Sequence, residues 1–199
     1  MNCHTWPGNR KSRVITLTGL GLGLLLLVSA CQKIPILQGK SEIGLEPGVT
    51  AGEGFAIYLF SGRIPPSQVL EGVSLLLESQ PLISQAEILK YTFQTHTIHL
   101  TREGVDKLTN LQVPVNGIAF AACVDGKQIY RGSFWAAYSS LSYNGVIIDP
   151  LLVSQDNPYL EIHLGYPGES FFTGQDPRGD QRIMNKLEEA GKLRWDDLR

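Results

Sequence analysis

Hydrophobic positions form three kinds of pattern along the chain. An uninterrupted apolar run covers residues 14–28, ahead of every other feature. Apolar and polar residues then alternate in several short segments, which is typical of strands that bury one face. Near the C-terminus, Ile183, Met184, Leu187 and Ala190 recur at helical spacing. Together these patterns predict an α+β fold, an antiparallel or mixed sheet with a few helices packed on one side.

The predicted elements can be placed by their turn and cap residues. Strands are predicted at residues 54–60, 87–93, 95–101, 117–124, 127–135, 145–148 and 159–164. In the segment 87–93, strict alternation would put Leu89, Tyr91 and Phe93 on one face. Asp125-Gly126 predicts a tight hairpin, and Thr101 is the predicted N-cap of a short helix. A second helix is predicted within residues 180–193, while residues 67–78 fit either a helix or a strand.

The first 30 residues have the three parts of an export signal. Basic residues precede the apolar run of about 15 residues, which is short of the roughly 20 needed for a membrane-spanning helix. The run ends in V-S-A-C, residues 28–31, and this tetrapeptide resembles the lipobox of bacterial lipoproteins. The resemblance implies that the Cys31 thiol carries a diacylglycerol, that the chain is cut before it, and that the new amino terminus is acylated. An uncleaved anchor helix and an ordinary secretory signal are the alternatives.

This interpretation predicts three regions and an extracytoplasmic location. Residues 1–30 would be the signal peptide, 31–53 a tether with no sustained period, and 54–199 a single α+β domain. The lipid anchor would hold the protein on the outer face of a bacterial membrane. Gln32 after the acylated cysteine favours the outer membrane if the organism has two.

The net charge and the cysteine content limit which classes of partner and which covalent links can be expected. Of 17 basic residues, 14 remain after removal of the signal, against 19 acidic ones, which gives a net charge of about −5. A nucleic acid is therefore not an expected partner. With Cys3 removed and Cys31 acylated, Cys123 is left without an intrachain partner; its apolar neighbours predict a buried small hydrophobe.

Residues 86–150 also carry a second resemblance. The segment runs strand, strand, then the helix T-R-E-G-V-D-K-L, then the strand G-I-A-F-A-A-C-V with its D-G turn and a returning strand. It is similar to the head subdomain of the extracytoplasmic domain of SecD, a preprotein translocase subunit. The resemblance implies a fold and an interaction role, and no catalytic residues; translocase activity is not carried over.

No motif for catalysis, a metal or a cofactor is found. His96 and His99 would lie on opposite faces of a strand, and His163 is expected to face solvent beside Tyr159 and Glu161. The serines at 139–142 lack the surroundings of a known nucleophile.

An aromatic group instead marks a candidate ligand or partner surface, with core packing as its alternative. Its members are Phe134, Trp135, Tyr138 and Tyr143.

The sequence therefore favours a non-enzymatic, lipid-anchored module that binds a protein or peptide partner. A small-molecule-binding lipoprotein and an unrecognised hydrolase are the alternatives. Each makes a different demand on the structure. A small-molecule-binding lipoprotein needs a cavity beside residues 134–143. A hydrolase needs a histidine within hydrogen-bonding distance of a serine and a carboxylate.

Overall fold

Strands form where the alternating segments were predicted. The structure, a computed structural model, describes residues 52–69 and 75–195. Within them the strands are β1 (Phe55–Leu59), β2 (Ile88–Thr92), β3 (Thr97–Leu100), β4 (Ile118–Val124), β5 (Lys127–Phe134), β6 (Tyr143–Ile148), β7 (Tyr159–Tyr166) and β8 (Leu193–Arg194). The α-helices of the same residues are α1 (Arg102–Thr109) and α2 (Gln181–Glu189). The predicted signal, Cys31 and the tether up to residue 51 lie outside the described residues.

The strands join into one eight-stranded mixed sheet in the order β1-β4-β5-β6-β7-β3-β2-β8. Two neighbouring pairs, β5 with β6 and β2 with β8, are parallel, and the others are antiparallel. Val105 and Leu108 of α1 and Ile183 and Leu187 of α2 belong to the same buried cluster. The prediction of a mixed sheet with helices on one side is confirmed at this level.

The sheet curves around that cluster, which we call the inner core. The rings of Phe55 in β1 and Tyr91 in β2 lie 6.5 Å apart, edge to face, although five strands separate β1 from β2 in the sheet order. Helix α2 packs against β1, β4 and β8. The inner core is therefore covered by the curved sheet and by the two helices.

The helix ends follow the predicted cap chemistry. Thr101 precedes α1, and its hydroxyl accepts a hydrogen bond from the amide of Gly104 at 3.3 Å. Asp180 caps α2 in the same way, accepting from the amide of Arg182 at 2.9 Å. Both predicted helices are confirmed.

The Asp125-Gly126 hairpin is also confirmed. Asp125 and Gly126 both have positive φ, 48° and 74°, as a type I′ turn requires. The Asp125 carboxylate accepts a hydrogen bond from the amide of Gly54 at 2.7 Å and lies 3.1 Å from the Lys186 ammonium. One side chain thus joins the β4–β5 turn to the start of β1 and to α2.

The predicted alternation in β2 is wrong. Leu89 is 51% exposed, whereas Ile88 and Tyr91 both lie in the inner core. The cause is a β-bulge, since Ile88 pairs with Leu100 and Lys90 pairs with the next residue, His99. The extra residue shifts the faces of everything before it.

The outer face of the sheet is covered only in part. Tyr58 of β1, Phe60 just after β1 and Cys123 of β4 form a second cluster with Leu77, which belongs to the segment after β1. The outer face of β6 and β7 has no α-helix of the described residues packed on it. This open half of the sheet carries the candidate site.

Candidate functional site

The connection between the parallel strands β5 and β6, residues 135–142, runs back across the end of the sheet. Hydroxyl groups of three side chains help to hold this crossover in place. The Tyr138 hydroxyl donates to the Val113 carbonyl at 3.0 Å, and the Ser139 hydroxyl donates to the Val115 carbonyl at 2.6 Å. The Tyr166 hydroxyl of β7 donates to the Ala137 carbonyl at 2.5 Å. The crossover is therefore fixed on both sides and forms a firm wall.

The four aromatic residues of the predicted surface occupy different environments. Phe134 is 0% exposed and lies in the inner core, so its ring is closed to a ligand or partner. Trp135 is 4% exposed and stacks on Tyr143, with ring centroids 5.2 Å apart and planes 15° apart. Tyr138 is 63% exposed. Trp135, Tyr138 and Tyr143 thus lie at the end of the sheet that is nearest the protein surface, whereas Phe134 lies in the inner core.

A groove runs along the outer face of β7, beginning at Trp135. It consists of two cavities, of about 320 Å³ and 150 Å³, that share Asp149, Leu152 and His163. We call them together the outer groove. Its other lining residues are Trp135, Ala137, Ile147, Leu164, Gly165, Tyr166, Pro167, Gly168, Glu169 and Arg178 in the larger cavity, and Asn157, Tyr159 and Glu161 in the smaller.

The polar groups of the outer groove are held in place by the fold. The buried Asp149 carboxylate accepts hydrogen bonds from the amides of Ala137 and Leu151, each at 3.0 Å. The Arg178 guanidinium donates to both carboxylate oxygens of Asp176, at 3.0 and 2.8 Å, and to the Ile162 carbonyl at 2.8 Å. Those hydrogen bonds hold the pKa of Asp176 below its usual range. The Arg178–Asp176 pair as a whole therefore carries no net charge.

The rim of the outer groove is apolar and exposed. Leu152 lines both cavities and is 57% exposed; Leu151 beside it and Tyr159 are exposed as well. Phe171 is exposed too, in a turn whose backbone lies against Gly165. Exposed apolar side chains gathered around a concave surface are typical of interaction sites.

A second cavity, of about 470 Å³, lies on the other side of Trp135. It is lined by Pro66, Ser67, Asn116, Trp135, Leu141, Ser142, Tyr143 and Asn144. The Trp135 Nε1 donor is buried and has no hydrogen-bond acceptor among the described residues. The alternative of a small-molecule site needed a cavity at this crossover, and this one meets that condition.

Among the described residues, neither His96 nor His163 is part of a hydrolytic arrangement with a serine and a carboxylate. His163 Nε2 lies 3.2 Å from Glu161 Oε2, and no Ser, Thr or Cys lines the outer groove in the described residues. His96 lies at the β2–β3 turn, where its Nδ1 is 2.8 Å from the Tyr91 hydroxyl. Burial and the nearby Arg178 lower the pKa of His96, and burial raises the pKa of Tyr91. That pair contributes to packing and has no nucleophile hydrogen-bonded to it.

The cysteine predictions have separate outcomes. Cys123 is buried in β4 and burial raises the pKa of its thiol to about 12, so the prediction of an inert hydrophobe is confirmed. Cys31, the predicted lipid-attachment residue, lies outside the described residues.

Edge strands offer little room for an added strand. The outer edge of β1 is covered, because Ile57 and Ile83 exchange backbone hydrogen bonds at 2.8 and 3.2 Å. The other edge strand of the described sheet, β8, has two residues. A partner segment would therefore bind on the open face rather than at an edge.

No helix in residues 52–69 and 75–195 is long and apolar enough to cross a bilayer. The same residues contain no group of three or more His, Cys, Asp or Glu side chains placed to hold a metal ion.

Sequence reasoning missed most of the outer groove. It found Trp135 and placed His163 on the solvent side of β7, which the structure confirms. It did not connect them with Asp149, Leu152 or Arg178, which come from separate segments. Comparisons with protein-family models, with curated proteins and with solved structures gave no match for this chain.

Proposed function

We propose that this protein is a lipid-anchored, non-enzymatic module of the bacterial cell envelope that binds a protein or peptide partner in the outer groove. The observation that carries the proposal is the groove itself, an open concave surface with fixed polar groups and an exposed apolar rim. An extended segment could bury Leu152 and Tyr159 there without any rearrangement of the sheet.

The anchor rests on the sequence alone. The basic start, the apolar run and V-S-A-C support acylation at Cys31, on the extracytoplasmic face and on the outer membrane if there are two. A single acyl chain binds a membrane only marginally, whereas two or three anchor it stably. Mass spectrometry of the purified native protein tests this. We expect a chain that begins at acylated Cys31, and expect Cys31→Ala to abolish the acylation. An intact Met1 or a bare thiol at Cys31 would refute the anchor.

Photocrosslinking in intact cells tests the binding site. A photoreactive amino acid at Leu152, in the outer groove, should give a discrete crosslinked product. The same amino acid at Glu188, exposed on the outer side of α2, serves as the matched control and should not give that product. Equal products from the two positions, or none from Leu152 in repeated trials, would contradict a partner site in the groove.

A small-molecule ligand is the second candidate function, and the 470 Å³ cavity beside Trp135 favours it. Cavities of this size accept small ligands, and Trp135, whose buried Nε1 has no acceptor among the described residues, is one of its lining residues. Thermal denaturation with a library of polar metabolites tests it. A hit that stabilises the wild type but not Trp135→Phe, which keeps a ring and removes the donor, would support this candidate.

The resemblance to the SecD head remains a proposal for residues 86–150. The order β2, β3, α1, β4, β5 is the support for it, with the cap at Thr101 and the turn at Asp125. It adds an interaction role and no translocase activity. A common pairing order with a solved SecD head would strengthen it, and a different order would remove it.

A further inference from the structure

We infer that the partner segment of the outer groove is an extended peptide of about seven residues with apolar side chains at its centre and cationic side chains at its ends. This inference rests on the proposed function and names the chemistry of the partner.

The shape of the outer groove favours an extended peptide. Tyr159, Glu161, His163 and Gly165 follow one another at alternate positions of β7 and all line the groove. The stretch from Tyr159 to Gly165 spans about 20 Å at roughly 3.3 Å per residue. An extended segment of about seven residues has the same length, whereas a compact ligand would fill one of the two cavities and leave the other empty.

The centre of the groove selects apolar side chains. Ile147 and Trp135 are almost fully buried in its floor, and Leu152 is exposed where the two cavities meet. An apolar side chain of the peptide placed over Leu152 would shield both of these side chains from water. Removal of apolar surface from water is the main favourable contribution to peptide association.

The charges of the groove favour a cationic partner. Its lining holds three carboxylates, those of Asp149, Glu161 and Glu169, and no lysine. The guanidinium in the lining, that of Arg178, already donates to the Asp176 carboxylate, and the two groups together carry no net charge. A lysine or arginine near each end of the peptide would therefore meet a carboxylate with room for a cation, either Glu169 or Glu161, whose Oε2 also lies 3.2 Å from His163 Nε2.

Two of the carboxylates are placed for this role. Glu161 lines the smaller cavity and Glu169 lines the larger, so one lies in each part of the groove, and both are exposed. Asp149 differs, because both of its oxygens already accept backbone hydrogen bonds. Glu161 and Glu169 are thus the positions at which charge selects the partner, and Asp149 maintains the wall.

Three labelled heptapeptides test the inference. The first is Lys-Thr-Leu-Thr-Leu-Thr-Lys, whose odd positions share one face when extended. The other two carry Gln or Glu in place of both lysines. Their binding to the full processed protein in nonionic detergent micelles is measured by fluorescence anisotropy in 50 mM and 500 mM salt. Nonionic micelles remove attraction of the cationic peptide to lipid headgroups.

We expect the lysine peptide to bind about fivefold tighter than the glutamine peptide in low salt, from two exposed ion pairs, and to lose that advantage in high salt. The glutamate peptide should bind weakest. Glu161→Gln with Glu169→Gln should make the lysine and glutamine peptides equal. Glu53→Gln with Glu188→Gln, which removes the same charge elsewhere, should leave their ratio unchanged.

Two results would overturn the inference. Equal binding of all three peptides would refute the charge selection, and so would a lysine preference that survives Glu161→Gln with Glu169→Gln. Crosslinking from Leu152 separates these failures from failure of the proposed function. A discrete cellular product there keeps the groove as a partner site with different chemistry, and its absence together with no peptide binding removes both.

Discussion

Asp125 gives the sharpest test of how local geometry stabilises this fold. It combines a positive φ of 48° with a hydrogen bond from the buried Gly54 amide and an ion pair with Lys186. Three substitutions separate these roles. Asparagine keeps an acceptor and tolerates the left-handed conformation, glycine keeps the conformation alone, and alanine keeps neither.

The expected losses follow from these roles. Asp125→Gly should cost about 1 kcal/mol, for a lost hydrogen bond that leaves the Gly54 amide without its partner. Asp125→Ala should cost about 1 kcal/mol more, for the left-handed backbone. Asp125→Asn should lie closest to the wild type, since the ion pair it removes is exposed to solvent.

Urea unfolding of the chain from Gln32 onward measures these differences in the free energy of unfolding. The expected stability order is wild type, then asparagine, glycine and alanine. Equal losses for glycine and alanine would refute the conformational argument. A loss for asparagine as large as that for alanine would show that charge, rather than geometry, dominates at this turn.

Acidification adds a second check on Asp125. The hydrogen bond from Gly54 holds the pKa of Asp125 below its usual value of 3.8. A carboxyl with a lowered folded-state pKa stabilises the protein above its unfolded-state pKa, and loses that contribution as the pH falls through the folded value. The difference between the wild type and Asp125→Asn should therefore be constant near neutral pH, begin to change below about pH 4, and level off only once the pH has fallen below the lowered folded-state value.

Three further predictions concern single residues. A Cβ at Gly132 would lie 2.3 Å from Cζ of Phe120, which is fully buried, so Gly132→Ala should cost several kcal/mol in urea unfolding; Gly168→Ala, with nothing within 4 Å, should cost little, and equal losses would contradict the packing argument. Cys123, with a thiol pKa of about 12, should resist a thiol-specific reagent in the folded protein and react promptly in urea; rapid reaction of the folded protein would refute its burial. His96 should titrate below about pH 6.5 in NMR spectra, and since its folded-state pKa is lowered, its contribution to stability should be present above that pH and decline as the pH falls; a titration at or above 6.5 would contradict it.

Local signals in the sequence predicted local structure well. Thr101 and Asp125-Gly126 were readable because a cap and a type I′ turn each depend on one or two residues. The alternation of β7 was equally clear, and its outward residues, among them His163, are the ones that line the outer groove.

Features that depend on pairing between distant strands could not be predicted. Nothing in the segment 87–93 indicates that Leu89 is the extra residue of a bulge, since the bulge is set by the register with β3. Nothing in the sequences of β5 and β6 indicates that these two strands are parallel neighbours. The outer groove could not be predicted for a similar reason, because Trp135, Asp149 and Arg178 come from separate segments and line one cavity only in the folded chain.

The last strand carries a consequence for how the chain reaches its folded state. β8 pairs with β2, and the Lys192 ammonium donates to the carbonyls of Gln85 and Ile88, about a hundred positions earlier. A growing chain cannot form this closure until β8 has been synthesised, long after β2. Contacts so far apart in sequence also form slowly. The pairing of β2 with β8 is therefore expected to be among the last contacts of the sheet to form.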